Sequence, residues 1–592
     1  MSDDPTPDEI DPGLESPSDP EADGEIVDGE PEAGDHKRSS RGGESGRGRL
    51  LRRSSKGAAA DEVNSEESEP AIEPVLTLSP LEAAIADAVA LLSGPGLEPL
   101  DDPPPPEELE ATWSDEAREG VEEARKDLDG KRVGLAISGG GSLGSFEAGS
   151  LRFLYDHLRI SPVAITGNSA GALNAAKLAH GDPPDGPRAV DEVERIWRSL
   201  RVNENMWEPE PWLDRLMASA SWATAIREQT NGSSSAVSTV KVAVKVLNSI
   251  VRRPPETDGT IDAIKDSLKA QSLLSLEPVA HLVARELDPE AIRTSGIRLR
   301  VGTVSLESGE LRYITETGEL HDRDDKPVEL PPVALGDGIL ASASIPVVFP
   351  PVRLGDEHYV DGGAREILPL RILVEHLDVE RTIAISAGAD AMARSRSFAD
   401  RGMFDILRRV TTDIATNETL RKELAPPGGW PDDVRLLVPD IEVHDAMMID
   451  PALIAISFDY GWMHTADLIC GLSPKLRNLT TEITRTRMAL REAAGPLPAL
   501  FGANIDDRPE TDDPDGWVDG ELTLRARLRE QVQARLDLGG PLPPALVAWL
   551  TKPQEPDPEP VKSDEAAAEE PDEEAETTEE AKEADEVPAT IG

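Results

Sequence analysis

Cysteine is almost missing from this chain. The single residue, Cys470, excludes an intramolecular disulfide and any multi-cysteine metal cluster, so the fold must rest on packing alone, which suits a reducing compartment. Aromatic residues are scarce at 3%, while 51 prolines and 47 glycines break the chain so often that 592 residues overstate its packed core. No apolar run reaches the ~18 residues that would span a bilayer. The opening MSDDPTPDEI has neither the basic nor the apolar region of a secretory signal, so a soluble, cytoplasmic chain is expected. Positive charge is also in short supply. Sixty Lys and Arg against 114 Asp and Glu leave a net charge of -54, so the chain as a whole would repel a phosphate backbone and nucleic acid is not an expected partner.

The imbalance is concentrated at the ends. Residues 1–110 carry about -21 and residues 555–592 about -14. Both stretches are rich in Glu, Asp, Pro, Ser and Ala and nearly free of aromatics, so they cannot bury enough apolar surface to offset chain entropy and are expected to be disordered. One basic island interrupts the acidic start: Lys37, Arg38, Arg41, Arg47, Arg49, Arg52, Arg53 and Lys56, opposed only by Glu44. It could touch anionic lipid headgroups or fold back on its acidic flanks. Ser79-Pro80-Leu81-Glu82 is a helix-start signal, and the apolar positions Leu81, Ile85, Val89 and Leu92 run to Gly94. A four-proline spacer follows Asp102, and order is expected from about residue 112.

The chemistry lies in the middle. Arg132–Ile137 reads as a strand, Ser138-Gly-Gly-Gly-Ser-Leu-Gly144 as a glycine turn, and Phe146–Leu158 as a helix. Pro162–Thr166, Gly167-Asn168-Ser169-Ala170-Gly171 and the alanine-rich run to Ala179 repeat that order, which favours a parallel α/β sheet. Gly139-x-Gly141-x-x-Gly144 also fits a dinucleotide fingerprint, but the acidic ribose ligand that should end the second strand is replaced by Gly167-Asn168-Ser169. Gly167-x-Ser169-x-Gly171 has the pattern of a nucleophile elbow, a serine on a strained turn that only small neighbours permit. The upstream loop, through the N–H groups of Gly140, Gly141 and Ser142, would then face the oxyanion of a tetrahedral intermediate.

The serine needs a proton acceptor. His281, His321, His358, His376, His444 and His464 follow the elbow, and none sits in a glycine-flanked loop after a clear strand. A better candidate is Asp361, delivered by His358-Tyr-Val into the turn Gly362-Gly363; its other reading is a plain turn-forming Asp-Gly. Ser308-Gly309 reads as a β-hairpin turn, and Val237–Val251, with the nearby Trp207, Trp212 and Trp222, as packed helices or a membrane-surface lid.

Taken together, Gly139–Gly144, Gly167–Gly171, Ala341-Ser-Ala-Ser-Ile-Pro-Val-Val-Phe-Pro-Pro351 and Asp361–Gly363 resemble the patatin-like phospholipases in order and spacing. The resemblance implies an α/β fold of three-layer α/β/α type with a mainly parallel central sheet, here flanked by disordered acidic tails. It also implies a Ser–Asp dyad with no histidine: Ser169 as nucleophile, Asp361 as base, an oxyanion hole within Gly139, Gly140, Gly141, Ser142 and Gly144, and no metal or cofactor. The expected substrate is a lipid ester, with peripheral contact at a membrane surface. One departure is Leu143, where the family usually carries a basic residue. The alternative function is a catalytically weak member that binds lipid or protein as a scaffold through its acidic tails. The implied organisation is a disordered region (1–111), a lead-in helix (112–130), a catalytic domain (131–390) with a helical insertion (185–297), a helical extension (391–550) and a tail (551–592).

Overall fold

The computed structural model describes residues 100, 103–184, 186–213, 270–390, 397–399, 402–493 and 514–551. The basic island, the Ser79–Gly94 segment, Trp222, the Val237–Val251 stripe and the acidic tail after 551 lie outside the described residues.

Helix α1 (Asp115–Leu128) leads in, capped by Ser114, whose Oγ accepts the Ala117 N–H at 3.2 Å. Its Ala117, Val121, Ala124 and Leu128 are buried, at the spacing that places them on one face. Strand β1 (Val133–Ile137) is buried at every position because helices cover both its faces. Leu135 and Ile137 join the larger core with Leu151, Phe153 and Leu154, whereas Ala136 between them joins Ala164, Ala384, Leu370 and Leu373 on the other side. That alternation produces the three layers.

After β1 come α2 (Gly144–Phe153), β2 (Pro162–Gly167), α3 (Ala170–Leu178) and α4 (Ala189–Ser199). Strand β3 (Arg298–Ser305) turns through Gly309, at φ 71°, into β4 (Leu311–Thr315), so the expected hairpin is present. Then follow β5 (Leu320–His321), α5 (Leu335–Ala343), β6 (Val352–Leu354), β7 (Glu357–Asp361), α6 (Leu370–His376), β8 (Arg381–Ile385) and β9 (Val434–Leu437). The sheet order is β9-β8-β1-β2-β3-β4-β5; the first five strands are parallel and the rest add on antiparallel. The sheet therefore does not stop at residue 390. The stretch expected to be a helical extension also supplies β9, whose residues are only partly buried except for Leu437, as suits an edge strand.

The two edges of β3 are used differently. One pairs with β4 along its length, while the other pairs with β2 up to Val301 and with the antiparallel β7 from Thr303 onward. Strands β2 and β7 thus run toward each other along one edge and stop on either side of Gly302.

Helix α7 (Pro451–Ile469) is largely buried and packs on α2 through two reciprocal notches: a side chain at Gly149 would overlap the Phe458 carbonyl, and one at Gly461 would overlap the Phe146 carbonyl. It is capped by Asp450, whose Oδ1 accepts the Ala452 and Leu453 N–H groups. Three aspartates of this region hold the later helices α8 (Pro474–Ala493) and α9 (Pro514–Asp537) through buried ion pairs, each of 2.7 Å: Asp450–Arg491, Asp459–Arg487 and Asp467–Arg535. Arg535 also donates to the carbonyls of Pro541 and Leu476, so its guanidinium is well satisfied. A buried pair of this kind is costly to break from one side, because the remaining charge is left uncompensated. Arg535→Ala is expected to lower the unfolding free energy by about 3–5 kcal/mol in urea titrations. Adding Asp467→Leu to that variant should recover part of the loss.

Candidate active site

Three loops meet where β1, β2 and β7 end. Ile137 and Gly167 are paired, so the glycine loop and the serine turn leave neighbouring parallel strands side by side. Asp361 is paired with Thr303 on the far side of Gly302. The gap is bridged by Asn168, whose Oδ1 accepts the Gly302 N–H at 3.0 Å and whose Nδ2 donates to the Glu366 carbonyl at 2.6 Å. A side chain at Gly362 would press on the Gly302 carbonyl at 2.6 Å and on Asn168 Cγ at 2.9 Å. Asn168 and Gly362, the neighbours of Ser169 and Asp361, are therefore in contact.

Ser169 has φ 52° and ψ -126°, a backbone region that side-chain-bearing residues rarely occupy. Its environment enforces the turn. A side chain at Gly171 would overlap the carbonyls of Ser138 and Ile137, and one at Gly167 would overlap the Gly171 carbonyl, so both elbow positions admit only glycine. The Ser169 N–H donates to Ser342 Oγ at 3.0 Å, and the Asp361 N–H donates to the Ser344 carbonyl at 2.9 Å. The end of α5 thus brackets both residues. Sequence reasoning noticed the Ala341–Pro351 motif without seeing this role, because its partners lie far away in the chain.

Ser169 and Asp361 are almost fully buried. Burial pushes the Asp361 carboxyl up to about 6, while the Gly363 N–H, donating to its Oδ1 at 2.7 Å, and the Ser169 hydroxyl act in the opposite sense.

The five loop residues expected to shape an oxyanion hole are not equivalent. The Gly139 N–H donates to the Ile367 carbonyl at 2.9 Å, that of Ser142 to the Ala446 carbonyl at 2.8 Å, and that of Gly144 to the Gly141 carbonyl. These three donors are committed to holding the loop. Among the described residues, the N–H groups of Gly140 and Gly141 meet no protein acceptor. Gly141 has φ 56°, and a side chain there would overlap the Ala446 carbonyl. Gly139 lies against the serine: a side chain on it would meet Ser169 Cβ at 3.1 Å.

No hydrogen bond joins Ser169 to a histidine among the described residues. His358 pairs with Glu307, His321 with Asp325, and His464 with the Val438 carbonyl, each at 2.8 Å. His444 stands behind the glycine loop, with Nδ1 3.3 Å from Ser142 Oγ and Nε2 3.4 Å from Ser145 Oγ; burial lowers its pKa. Leu143, the departure from the family pattern, is buried. No group of three or more His, Cys, Asp or Glu suited to a metal ion occurs among the described residues.

Residues 135–374 match the family model described as patatin-like phospholipase. Similar solved structures include VipD from Legionella pneumophila, at 16% identity and a TM-score of 0.28, covering 69% of this chain and 77% of that one. Human GIVD cytosolic phospholipase A2 is 11% identical with a TM-score of 0.27, covering 71% and 65%. ExoU of Pseudomonas aeruginosa in complex with SpcU is 12% identical with a TM-score of 0.15, covering 68% and 88%. No curated relative matches the sequence.

Raising the Asp361 pKa has a stability consequence of definite sign. The folded state holds the proton more tightly than the unfolded chain, so stability falls as pH rises from about 4 to about 6 and stays lower above that. Asp361→Asn, which keeps the acceptor for Gly363, is expected to stabilise the protein on the order of 2–3 kcal/mol at pH 8 and by much less near pH 4.5. Urea unfolding of both proteins at the two pH values measures this.

Proposed function

We propose, from the match of residues 135–374 to the patatin-like phospholipase family model, that the chain is a lipid acyl hydrolase working through Ser169 and Asp361. The observation that carries the reading is the conjunction at Gly302: a strained serine, a buried carboxyl and two unengaged loop N–H groups gathered at the ends of three strands. In the first step the Ser169 oxygen attacks the ester carbonyl while its proton passes to Asp361. The N–H groups of Gly140 and Gly141 receive the negative charge that develops on the carbonyl oxygen. The tetrahedral intermediate collapses, the alcohol leaves with the proton from Asp361, and an acyl group remains on Ser169. Water then attacks the acyl-enzyme, giving its proton to Asp361, and the acid departs as Ser169 is reprotonated. A carboxyl near 6 is a better base at neutral pH than an ordinary aspartate, and burial supplies that change.

Contact with a lipid surface would be made by an exposed apolar stretch of the chain. Nine large apolar residues are exposed among the described ones, and five of them, Met403, Ile406, Leu407, Val410 and Ile414, lie within twelve residues of one helical segment. Their spacing places them on one side of it. The following helix, Ala415–Leu424, is tied to Asp390 by Arg421 at 3.2 Å and by Asn417 at 3.1 Å, just beyond Ala387, which abuts Gly140. No helix among the described residues is long and apolar enough to cross a membrane.

A fluorophosphonate probe should label the wild type and fail to label Ser169→Ala; a folded wild type that is not labelled overturns the hydrolase reading. Asp361→Asn should remain folded and lose turnover, and wild-type kcat/KM should rise with pH through about 6, where the carboxyl ionises. Leu407→Asp combined with Val410→Asp should reduce hydrolysis of phospholipid vesicles several-fold while leaving a soluble short-chain ester unaffected. Equal rates on vesicles would remove the surface assignment.

A further inference from the structure

The segment Glu366–Pro369 touches every part of the candidate site without contributing a reacting group. The Glu366 carbonyl receives Asn168 Nδ2 at 2.6 Å, next to the serine. The Glu366 N–H donates to the Gly362 carbonyl at 2.9 Å, next to Asp361. The Ile367 carbonyl receives the Gly139 N–H at 2.9 Å, at the root of the glycine loop, and the Pro369 carbonyl receives Thr166 Oγ1 at 2.6 Å, at the end of β2. The three loops that converge at Gly302 are thus hung from one short stretch of backbone.

That stretch needs an anchor, since it belongs to neither a strand nor a helix. Two of its N–H groups, those of Ile367 and Leu368, are directed to a single carboxyl. Ile367 N–H donates to Glu423 Oε1 at 3.0 Å and to Oε2 at 3.2 Å, and Leu368 N–H donates to Oε2 at 2.9 Å. Glu423 is presented by the helix Ala415–Leu424, fastened through the buried Leu420, while its own carbonyl accepts Trp430 Nε1 at 2.7 Å. The neighbouring Glu366 side chain accepts the Tyr313 hydroxyl and does not compete for these N–H groups.

We propose that Glu423 is the positioning residue of this enzyme: by clamping the Ile367 and Leu368 N–H groups it fixes the backbone strut that holds the serine turn, the aspartate loop and the glycine loop in mutual register. Its consequence for rate rests on the hydrolase reading above, whereas its consequence for loop order does not. Two carbonyls of the strut hold groups adjacent to reacting atoms, so a shift of the strut misaligns both the nucleophile and the oxyanion donors at once. Misplacement by about 1 Å is enough to cost on the order of 100-fold in rate. Burial pushes Glu423 up to about 8, so a neutral amide of the same length can stand in for it.

The test compares full-length wild type, Glu423→Ala and Glu423→Gln. Amide exchange is followed by mass spectrometry in peptides covering 134–144, 165–173 and 361–370. In Glu423→Ala all three peptides should exchange roughly ten-fold faster or more, and in Glu423→Gln they should return to within about three-fold of wild type. Hydrolysis of a soluble ester should show kcat reduced about 10- to 100-fold with KM within about two-fold for Ala, and near-wild-type values for Gln. Unchanged exchange in the first two peptides of a folded Glu423→Ala protein overturns the proposal, as does a Gln variant as impaired as Ala. If Glu423→Ala does not fold, Glu423→Asp decides, because its shorter side chain cannot reach both N–H groups; wild-type exchange and kcat in that variant overturn the proposal. A wild type that hydrolyses no ester defeats the hydrolase reading, while the exchange data still decide the role of Glu423 in ordering the loops.

Discussion

Gly302 has no side chain, and the space this leaves is where the site is assembled. Strands β2 and β7 approach each other along one edge of β3 and cannot both continue, so their ends must turn out of the sheet at the same place. The Asn168 amide fills the break, taking the Gly302 N–H that neither strand can satisfy and handing a hydrogen bond on to Glu366. A side chain at Gly302 would collide with this amide. The proximity of residues almost two hundred positions apart is therefore a property of sheet pairing, reinforced by one buried amide.

The arrangement is built largely from backbone. Carbonyls of Ser344, Glu366, Ile367 and Ala446 each hold one element of the site, and the side chains that assist them, Asn168, Ser342 and Glu423, act on main-chain N–H or C=O groups. Such contacts tolerate little movement, since hydrogen bonds weaken steeply as distance and angle depart from ideal. They also separate the loop donors into those used for support and those left over, and only Gly140 and Gly141 fall in the second group among the described residues. An ordinary burial effect on Asp361 then gives a carboxyl that binds its proton more firmly than a surface aspartate would, at a cost in folding stability.

What could be read from the sequence was what is local. Gly167, Ser169 and Gly171 are legible because a tight strand-to-helix turn demands small residues at fixed offsets, and the glycine loop and the Asp361–Gly362–Gly363 turn for the same kind of reason. The alternation of buried strands and helices was legible from unbroken apolar runs. The partition of loop N–H groups was not, since it depends on where Ile367 and Ala446 arrive. Glu423 carried no signal either, because it acts over a sequence separation that leaves no periodicity or motif, and the same separation hid the roles of Ser342, Ser344 and His444 although the residues themselves stood in view. Strand β9 was missed because Val434–Leu437 is four residues long and half exposed at an edge, which makes it resemble a loop between helices.

The order of strands bears on where the protein can be cut. The family match closes at residue 374, inside α6, yet β8 lies beyond it and sits directly against β1 in the interior of the sheet. A fragment trimmed to the match would expose the whole hydrogen-bonding rim of β1, together with the apolar underside of α2 that α7 covers. Such an open rim is an invitation to pair with another chain. A piece that keeps β1 paired and α2 covered has to extend through α7, and α7 brings with it aspartates whose arginine partners lie later still, so the candidate site is joined by packing and buried charge to helices far along the chain.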